Sequence, residues 1–475
     1  MLMKKIVFTL STLIFCIATS QSMFADTAPF TIKGGLFDSS NANTLGLSKP
    51  KGLETVTVFA PTDKTDHFSH GAVMVGFKGA LYCMWQSSQK DEDSADTWIA
   101  YSRSTDEGKT WSKPMTLVAP IDYGYCSSGG WWSYGDTLYA YINTWPTNLS
   151  PKGGYTRYIK SYDGLTWTQP QDVLMADGSR LDGIFEQDPH ALPDGRIVNS
   201  AHMQPGLHIC PIYTDDPSGV RGWKRGSFQY SGTGDQSTEM EPSWYYKPDG
   251  TVVMIFRDQS SSYHKLAAVS TDRGETWSKS VKTNMPDART KQSAGNLPDG
   301  TCFMAGNPVT NKARKPLALT LSKDGTTFDK AYLLRDANSI QPLRYEGKAK
   351  SSNSGYSYPK SMVYGNYLYV SYATNKEDVE YSRIPLSSIS LLAGLENIAG
   401  EERIHIILRG KNLLISGCNG ECQIGIYSID GTLVDLVSCA VIDHEDIDLS
   451  HLHSGIYLVR VQTKLGSMTQ KVVLK

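Results

Sequence analysis

Histidine, glutamate, tyrosine and arginine recur in this chain where short strands begin and long polar loops turn. His70 in HFSHGAV, His190 in GIFEQDPH and Glu241 in EMEPSWYYKPDG are groups that take up and give back protons. Arg157, Arg257, Arg289 and Arg314 carry fixed positive charge, and a guanidinium fork fits the planar oxyanion of a carboxylate or sulfate. Tyr125, Tyr356 and Tyr358 bring hydroxyls. Trp85, with Trp131, Trp132 and Trp145, offers flat faces that can stack on sugar rings. An acidic sugar is a ligand that uses all of these together. The competing uses are structural: a salt bridge from Glu241 to Arg257 that braces a sheet, a His70 bonded to a neighbouring sheet, and a His190 that caps a strand. His202 and His208 flank one loop, but no third ligand completes a metal site, and no cofactor is called for.

These groups are scattered along the chain, so the fold must bring distant loops together. Repeats supply such a fold. STDEGKTW (104–111) and STDRGETW (270–277) are near copies, SYDGLTW (161–167) and SKDGTTF (322–328) are shorter ones, and TDDPSGVRGW (214–223) is a degraded fifth. Their starts lie roughly 50 to 60 residues apart, which fits one four-stranded propeller blade. In each Asp box the aspartate can accept backbone N–H bonds, the glycine takes the left-handed conformation and the aromatic residue packs at the sheet margin. Asp106, Asp163, Asp272 and Asp324 are therefore read as structural. LPDGR (192–196), KPDGT (247–251) and LPDGT (297–301) are tight turns out of phase with the boxes.

The unit is strand, short turn, strand, long loop, strand, Asp-box turn, strand. The expected fold is all-β: a six-bladed propeller, with blades over 66–118, 121–176, 182–230, 238–282, 288–335 and 355–383, followed by a small C-terminal β-sandwich. The last blade lacks a fourth strand, which ETVTVFA (54–60) can supply, closing the ring without an open edge. A seventh blade within 28–53 stays open. The long loops, among them SSQKDEDSADT (87–97) and GNPVTNKARK (306–315), share the face where the innermost strands begin, and that face is the expected pocket.

The two ends of the chain carry other signals. Lys4 and Lys5 precede a short apolar run, which reads as a signal peptide over 1–25. The propeller is expected over 26–385, a linker over 386–400 and the sandwich over 401–475, with hairpin turns at Asp430-Gly431 and Leu465-Gly466. The cysteines beyond the leader form no CxxC, and Cys418–Cys422 is the one plausible local pair. A net charge of -2 with 20% charged residues argues against a nucleic-acid surface but allows a local cationic pocket. The expected partner is an acidic oligosaccharide or polysaccharide.

The Asp boxes, EPSWYYKPDGTVVMIFRD (241–258) and GNPVTNKARKPLALTLSKDG (306–325) resemble the sialidase superfamily. That resemblance implies a glutamate partner of the nucleophile at Glu241, carboxylate-gripping arginines at Arg257 and Arg314, a nucleophilic tyrosine at Tyr356 or Tyr358, and an acid among the blade-one loop aspartates. The first strand departs from it: HFSHGAV stands where sialidases open with Arg-Ile-Pro. A histidine there, with FKGALYCMW and a DED loop, looks more like the propellers that include rhamnosidases cutting rhamnose from glucuronate and the ulvan and rhamnose–glucuronate lyases. This second resemblance implies acid–base work for His70, with Arg157, His190 and Tyr125 in support. The reading is a secreted glycosidase or polysaccharide lyase acting beside an acidic sugar; the alternatives are an exo-α-sialidase and a non-catalytic glycan-binding propeller. The ending GIYLVRV…QKVVLK resembles the type IX secretion C-terminal sorting domain of Bacteroidetes, which implies passage through that machinery to the cell surface or medium.

Overall fold

Apolar residues alternate with polar ones in runs too short for helices, and glycine-bearing turns end each run. Such segments pair as antiparallel strands. The structure, a computed structural model, describes residues 27–474 apart from 233, 346–353, 393–404, 417–419, 429–431, 442–443 and 464–466. The expected signal peptide, most of the expected linker, Cys418 and the turns at Asp430-Gly431 and Leu465-Gly466 lie outside the described residues.

Six sheets form the propeller. Blade 1 runs Phe68–Phe77, Ala80–Ser88, Trp98–Ser104 and Met115–Val118 from the axis outward, and blade 2 runs Gly124–Tyr134, Thr137–Pro146, Tyr155–Ser161 and Gln171–Asp172. Blade 3 has an interrupted inner strand, Gly183–Phe185 then His190–Ala191, both paired to Ile197–Met203. Blade 4 begins with Glu239–Tyr246 and extends to Val281–Pro286, blade 5 begins with Ser293–Asn296, and blade 6 with Tyr356–Tyr364. Residues 28–53 form no seventh blade: Thr31–Ile32 pairs in parallel with Thr327–Phe328, and Phe30 fills a core with Tyr245 and Phe328.

The ring closes as the sequence implies. Glu54–Phe59 pairs antiparallel with Asp378–Pro385, so the first ordered propeller strand is the outermost strand of the last blade. Neighbouring sheets bury apolar faces against each other, and the Asp boxes add a directional tie. Tyr381 Oη donates to Gly108 O (3.1 Å), Tyr141 Oη to Gly219 O (2.7 Å) and Tyr245 Oη to Gly325 O (2.6 Å), each across a blade boundary. A Cβ on Gly108 would stand 2.2 Å from Tyr381 Oη, so the glycine serves both the turn and the approach of the next blade. The box aspartates spend their oxygens on the turn, as Asp106 does on Thr110 N (2.9 Å) and Ser104 Oγ (2.7 Å).

The C-terminal strands make two further sheets, one of His405–Arg409, Asn412–Ser416 and His444–Asp448, the other of Leu433–Val441, Gly420–Ser428, Gly455–Thr463 and Ser467–Leu474. Ile406, Leu413 and Ile415 of the first share one core with Ile424, Ile426, Val459 and Val461 of the second. Two sheets facing across one apolar layer are a β-sandwich.

Candidate active site

Four inner strands break register near their start. The shift falls between His70 and Val73 in blade 1, Ser128 and Gly130 in blade 2, Met240 and Ser243 in blade 4, and Ser357 and Lys360 in blade 6. Such a bulge bends the strand and re-aims a side chain. Within it one residue takes a positive φ: Gly71 (63°), Gly130 (124°), Glu241 (48°) and Tyr358 (55°). Glycine tolerates this freely, whereas a side chain in the left-handed region costs roughly 1–2 kcal/mol. Strain of this kind persists where the surroundings enforce it, and it clusters at working sites.

The two strained side chains meet. Arg257 links them, its Nη1 standing 2.9 Å from Glu241 Oε2 and 3.5 Å from Tyr358 Oη. Lys291 Nζ lies 4.8 Å and the Arg314 guanidinium 4.9 Å from the centre of the Tyr358 ring. The His70 ring lies 4.2 Å from the same ring. Arg314 is steadied by Ser357 Oγ at 3.2 Å. Lys291 is held by Glu186, 2.7 Å from both its carboxylate and its carbonyl, and the other carboxylate oxygen of Glu186 meets His202 Nδ1 at 3.1 Å. Lys360 faces Asp188 at 3.7 Å, and Lys376 pairs with Glu92 at 3.0 Å.

Charge around this cluster is unequally shared. Burial disfavours the Glu241 carboxylate, but Arg257 and then Lys291 outweigh it and hold its proton affinity below the ordinary range. Burial first, and then Glu241, push the Tyr358 phenol well up, so it rests neutral. His70 is driven well below the usual histidine range by burial, then by Lys376, Arg314, Lys291 and Lys360, and is neutral too. Among the described residues neither ring nitrogen of His70 has a hydrogen-bond partner. Burial raises Asp188 to about 6 against the pull of Lys360, and lowers Lys360 to about 8 against that of Asp188. A neutral phenol, an ionised carboxylate and a crowd of cations can bind an anion and pass a proton from tyrosine to glutamate.

Other expected site residues lie elsewhere. Tyr356 is wholly buried between blades 5 and 6, its hydroxyl donating to Asp336 O at 2.8 Å, because the register shift between Ser357 and Lys360 breaks the alternation that would otherwise put it on the same face as Tyr358. Trp85 is also wholly buried and stacks on Phe59 at 5.5 Å, so it presents no face to a sugar. Arg157 is used within blade 2, reaching Pro170 O (2.9 Å) and Asp172 (3.6 Å) on the outermost strand. His190 lines an axial channel of about 320 Å³ with Trp131, Trp244 and Tyr246, and its ring is 5.7 Å from that of Trp244. Tyr125 stacks with Trp145 at 5.9 Å beside Lys152, in a groove of about 450 Å³ that also touches Asp91 and Asp93. Arg289 is half-buried two residues before Lys291, at φ 53°. Lys376, Glu92 and Asp188 were not singled out by the sequence reading. Lys376 sits in the Asn-Lys-Glu hairpin 375–377, which carries no motif; a lysine or glutamate on a polar turn is ordinarily solvated.

Comparison with known families bears on this geometry. Residues 79–370 match the BNR repeat-like domain. The chain belongs to the BNR repeat-like domain family. In this BNR-repeat protein residues 405–475 match the secretion system C-terminal sorting domain, which directs it through the type IX machinery to the cell surface or outside. No curated protein matches the sequence. Among solved structures, a protein of unknown function from Dyadobacter fermentans aligns with TM-score 0.52 and 17% identity over 70% of this chain and 99% of its own. A mutant Trypanosoma rangeli sialidase displaying trans-sialidase activity aligns with TM-score 0.52 and 12% identity over 90% of each chain. The intramolecular trans-sialidase of Ruminococcus gnavus aligns with TM-score 0.50 and 14% identity over 71% of this chain and 98% of its own. At such identities the likeness is one of fold: the BNR-repeat protein is a sialidase-fold propeller.

Proposed function

We propose that this protein is an exported retaining exo-glycosidase that releases a terminal sugar bearing a carboxylate on its anomeric carbon, the sialic acid class. One observation carries the reading: Arg257 bridges the Tyr358 hydroxyl (3.5 Å) and the Glu241 carboxylate (2.9 Å), with Lys291 and Arg314 against the Tyr358 ring. Most retaining glycosidases attack with a carboxylate. Against an anomeric carbon that already carries a carboxylate, a second anion is repelled, and a neutral phenol avoids that repulsion. The Tyr358 oxygen attacks the anomeric carbon as Glu241 takes its proton, and the leaving oxygen receives a proton from an acid on the blade-one loop, which carries Asp91, Glu92 and Asp93. Water then attacks the glycosyl-tyrosine, giving its proton to the loop carboxylate, while Glu241 returns the first proton to Tyr358. Arg257 and Arg314 hold the substrate carboxylate by charge-assisted hydrogen bonds. The sialidases and trans-sialidases among the fold neighbours support this assignment.

A second reading, a uronate lyase, rests on the neutral, buried His70 beside Tyr358, since a histidine and a tyrosine can remove and return the proton next to a carboxylate. Its other expected members, Arg157 and His190, are engaged away from that pair. One experiment separates the readings. The protein is incubated with sialylated, rhamnose-capped and sulfated uronate glycans, and both free sialic acid and ultraviolet-absorbing unsaturated sugar are measured. Release of sialic acid, lost by ~10²-fold or more in Tyr358→Phe, is the expected outcome. A fluorinated sialoside that traps the intermediate should add its mass to the peptide containing Tyr358. Unsaturated product with full activity in Tyr358→Phe would reverse the assignment.

A further inference from the structure

The cation clamp has a gap, and a different element fills it. Blade 1 offers His70 where the resemblance predicts an arginine, and His70 is neutral, so it cannot balance a carboxylate. We propose that Lys376 is the third cation of the substrate-carboxylate clamp, and that its present partner, Glu92, is the catalytic acid that binding sets free. This rests on the glycosidase reading above and names two residues within it.

Lys376 occupies a built position. The hairpin between Tyr367–Thr374 and Asp378–Pro385 holds Asn375 and Lys376 at φ 57° each, where glycine would be the relaxed choice. The corner is tied on every side. Ser69 N donates to Lys376 O (2.7 Å), next to His70 in sequence; Asn375 N donates to Gly355 O (2.8 Å) and Asn375 Nδ2 to Gln341 O (2.8 Å); Tyr345 N donates to Glu377 Oε1 (2.8 Å). The lysine is 6% exposed, yet its ammonium reaches back along the Phe68 ring to the site instead of outward. Arg314, also buried, lies against the Tyr358 ring that touches His70, and Lys376 lies against the ring of Phe68 two residues before His70, so the two charges flank one pocket. Two buried cations so placed are a site arranged for an anion.

The anion now present is Glu92, 3.0 Å from Lys376 Nζ and 46% exposed on the blade-one loop. Its backbone carbonyl is fixed by the Gln86 side chain. Its sequence neighbours Asp91 and Asp93 line the aromatic groove with Tyr125 and Trp145, so the loop runs from Lys376 to the groove where the leaving sugar would lie. When the substrate carboxylate takes over Lys376, Glu92 leaves its ion pair and its carboxyl is released to meet the glycosidic oxygen. Binding of the correct, charged sugar thereby frees the acid. The proton of Glu92 goes to the glycosidic oxygen as the bond to the anomeric carbon breaks, and Glu92 recovers one from the attacking water.

Binding of free N-acetylneuraminic acid by calorimetry, and turnover of sialyllactose and of an aryl sialoside, test this in the full chain. Lys376→Met should weaken binding by roughly 10- to 100-fold, and Lys376→Arg should restore most of it. Glu92→Gln should bind several-fold tighter than wild type, because the competitor for Lys376 is gone. Its turnover of sialyllactose should fall ~10²-fold or more, with much less loss on the aryl sialoside, whose leaving group needs no acid. Wild-type binding in Lys376→Met, or equal losses on both substrates in Glu92→Gln, overturns the proposal while leaving the glycosidase reading intact. A wild-type protein that neither binds nor releases the acidic sugar overturns both. Should Lys376→Met fail to fold, the opposite signs expected for binding and turnover in Glu92→Gln still decide.

Discussion

His70 shows how a single residue can be found in the sequence and its state still be missed. Its position, at the start of the first inner strand, was legible because HFSHGAV opens a strand after a polar stretch. Its charge was not, because that depends on Lys376, Arg314, Lys291 and Lys360, which come from blades 5 and 6. The consequence is measurable. An unfolded histidine takes a proton below about pH 6.5. The folded His70 refuses it, so between these limits the unfolded chain binds more protons and stability falls as pH falls. His70→Phe keeps a ring against Tyr358 and removes this linkage. The melting temperature of the wild type should therefore drop more than that of the variant between about pH 7.5 and 5.5. Parallel curves for the two proteins would show that His70 charges freely in the fold, and the cationic ring drawn around it would then be wrong. Glu241 and Arg257 were legible for a different reason: they flank one hairpin, and their contact needs only its register.

At the scale of elements, the Asp boxes were readable down to their hydrogen bonds, because every bond is local. Two box lengths occur, and the difference has a physical outcome. In SYDG the aspartate is followed directly by glycine, and Asp163 Oδ1 accepts from Leu165 N (2.8 Å) and Thr166 N (2.7 Å). In STDEG an extra residue intervenes, and both Glu107 (61°) and Gly108 (86°) take positive φ while Asp106 accepts from Thr110 N. Glu107 is strained without any charge partner requiring it, since its one inter-blade role is to offer its carbonyl to Arg383 Nη1 at 2.9 Å. Glu107→Gly should then stabilise the protein by about 1 kcal/mol, read as a higher denaturant midpoint with an unchanged slope. A lower midpoint would mean that the side chain holds the blade boundary. The bulges were not readable in this way. MEPSW and SYPKS place a proline after the strained residue in both blades, which is a signal in hindsight, but a bulge is defined by its partner strand and no single segment states it. For the same reason Tyr356 and Tyr358 could not be told apart: a one-residue shift exchanges the two faces of a strand.

The whole molecule is held by its closure, and the site sits on that seam. Blades 1 and 6 meet where the chain's first propeller strand joins its last blade. There Phe59 stacks on Trp85 at 5.5 Å and Val58 packs with Tyr369 and Tyr381. Arg383 reaches Glu54 at 2.7 Å across the same pairing. The inner strand of blade 1 is tied to the second strand of blade 6 and its hairpin by Ser371 Oγ to Ala72 O (2.9 Å) and Ser69 N to Lys376 O (2.7 Å), and the His70 ring meets the Tyr358 ring across the same boundary at 4.2 Å. This boundary has its own tyrosine bond, Tyr381 Oη to Gly108 O, but unlike the other blades the last one takes its outermost strand, six residues long, from the start of the propeller. Burying a carboxylate there without a partner is costly, so Val58→Asp should detach the strand and leave Asp378–Pro385 as an open edge. The expected result is loss of the proposed glycosidase activity at a temperature below the main unfolding transition, with self-association through the exposed edge visible by light scattering. The chemistry would fail first because His70 and Glu92 of blade 1 leave Tyr358 and Lys376 of blade 6 as soon as the two blades part, while Glu241 and Arg257 stay joined within blade 4. If activity and folded structure were instead lost together in Val58→Asp, the seam would be no weaker than the other boundaries, and the ring would have to be regarded as one cooperative unit.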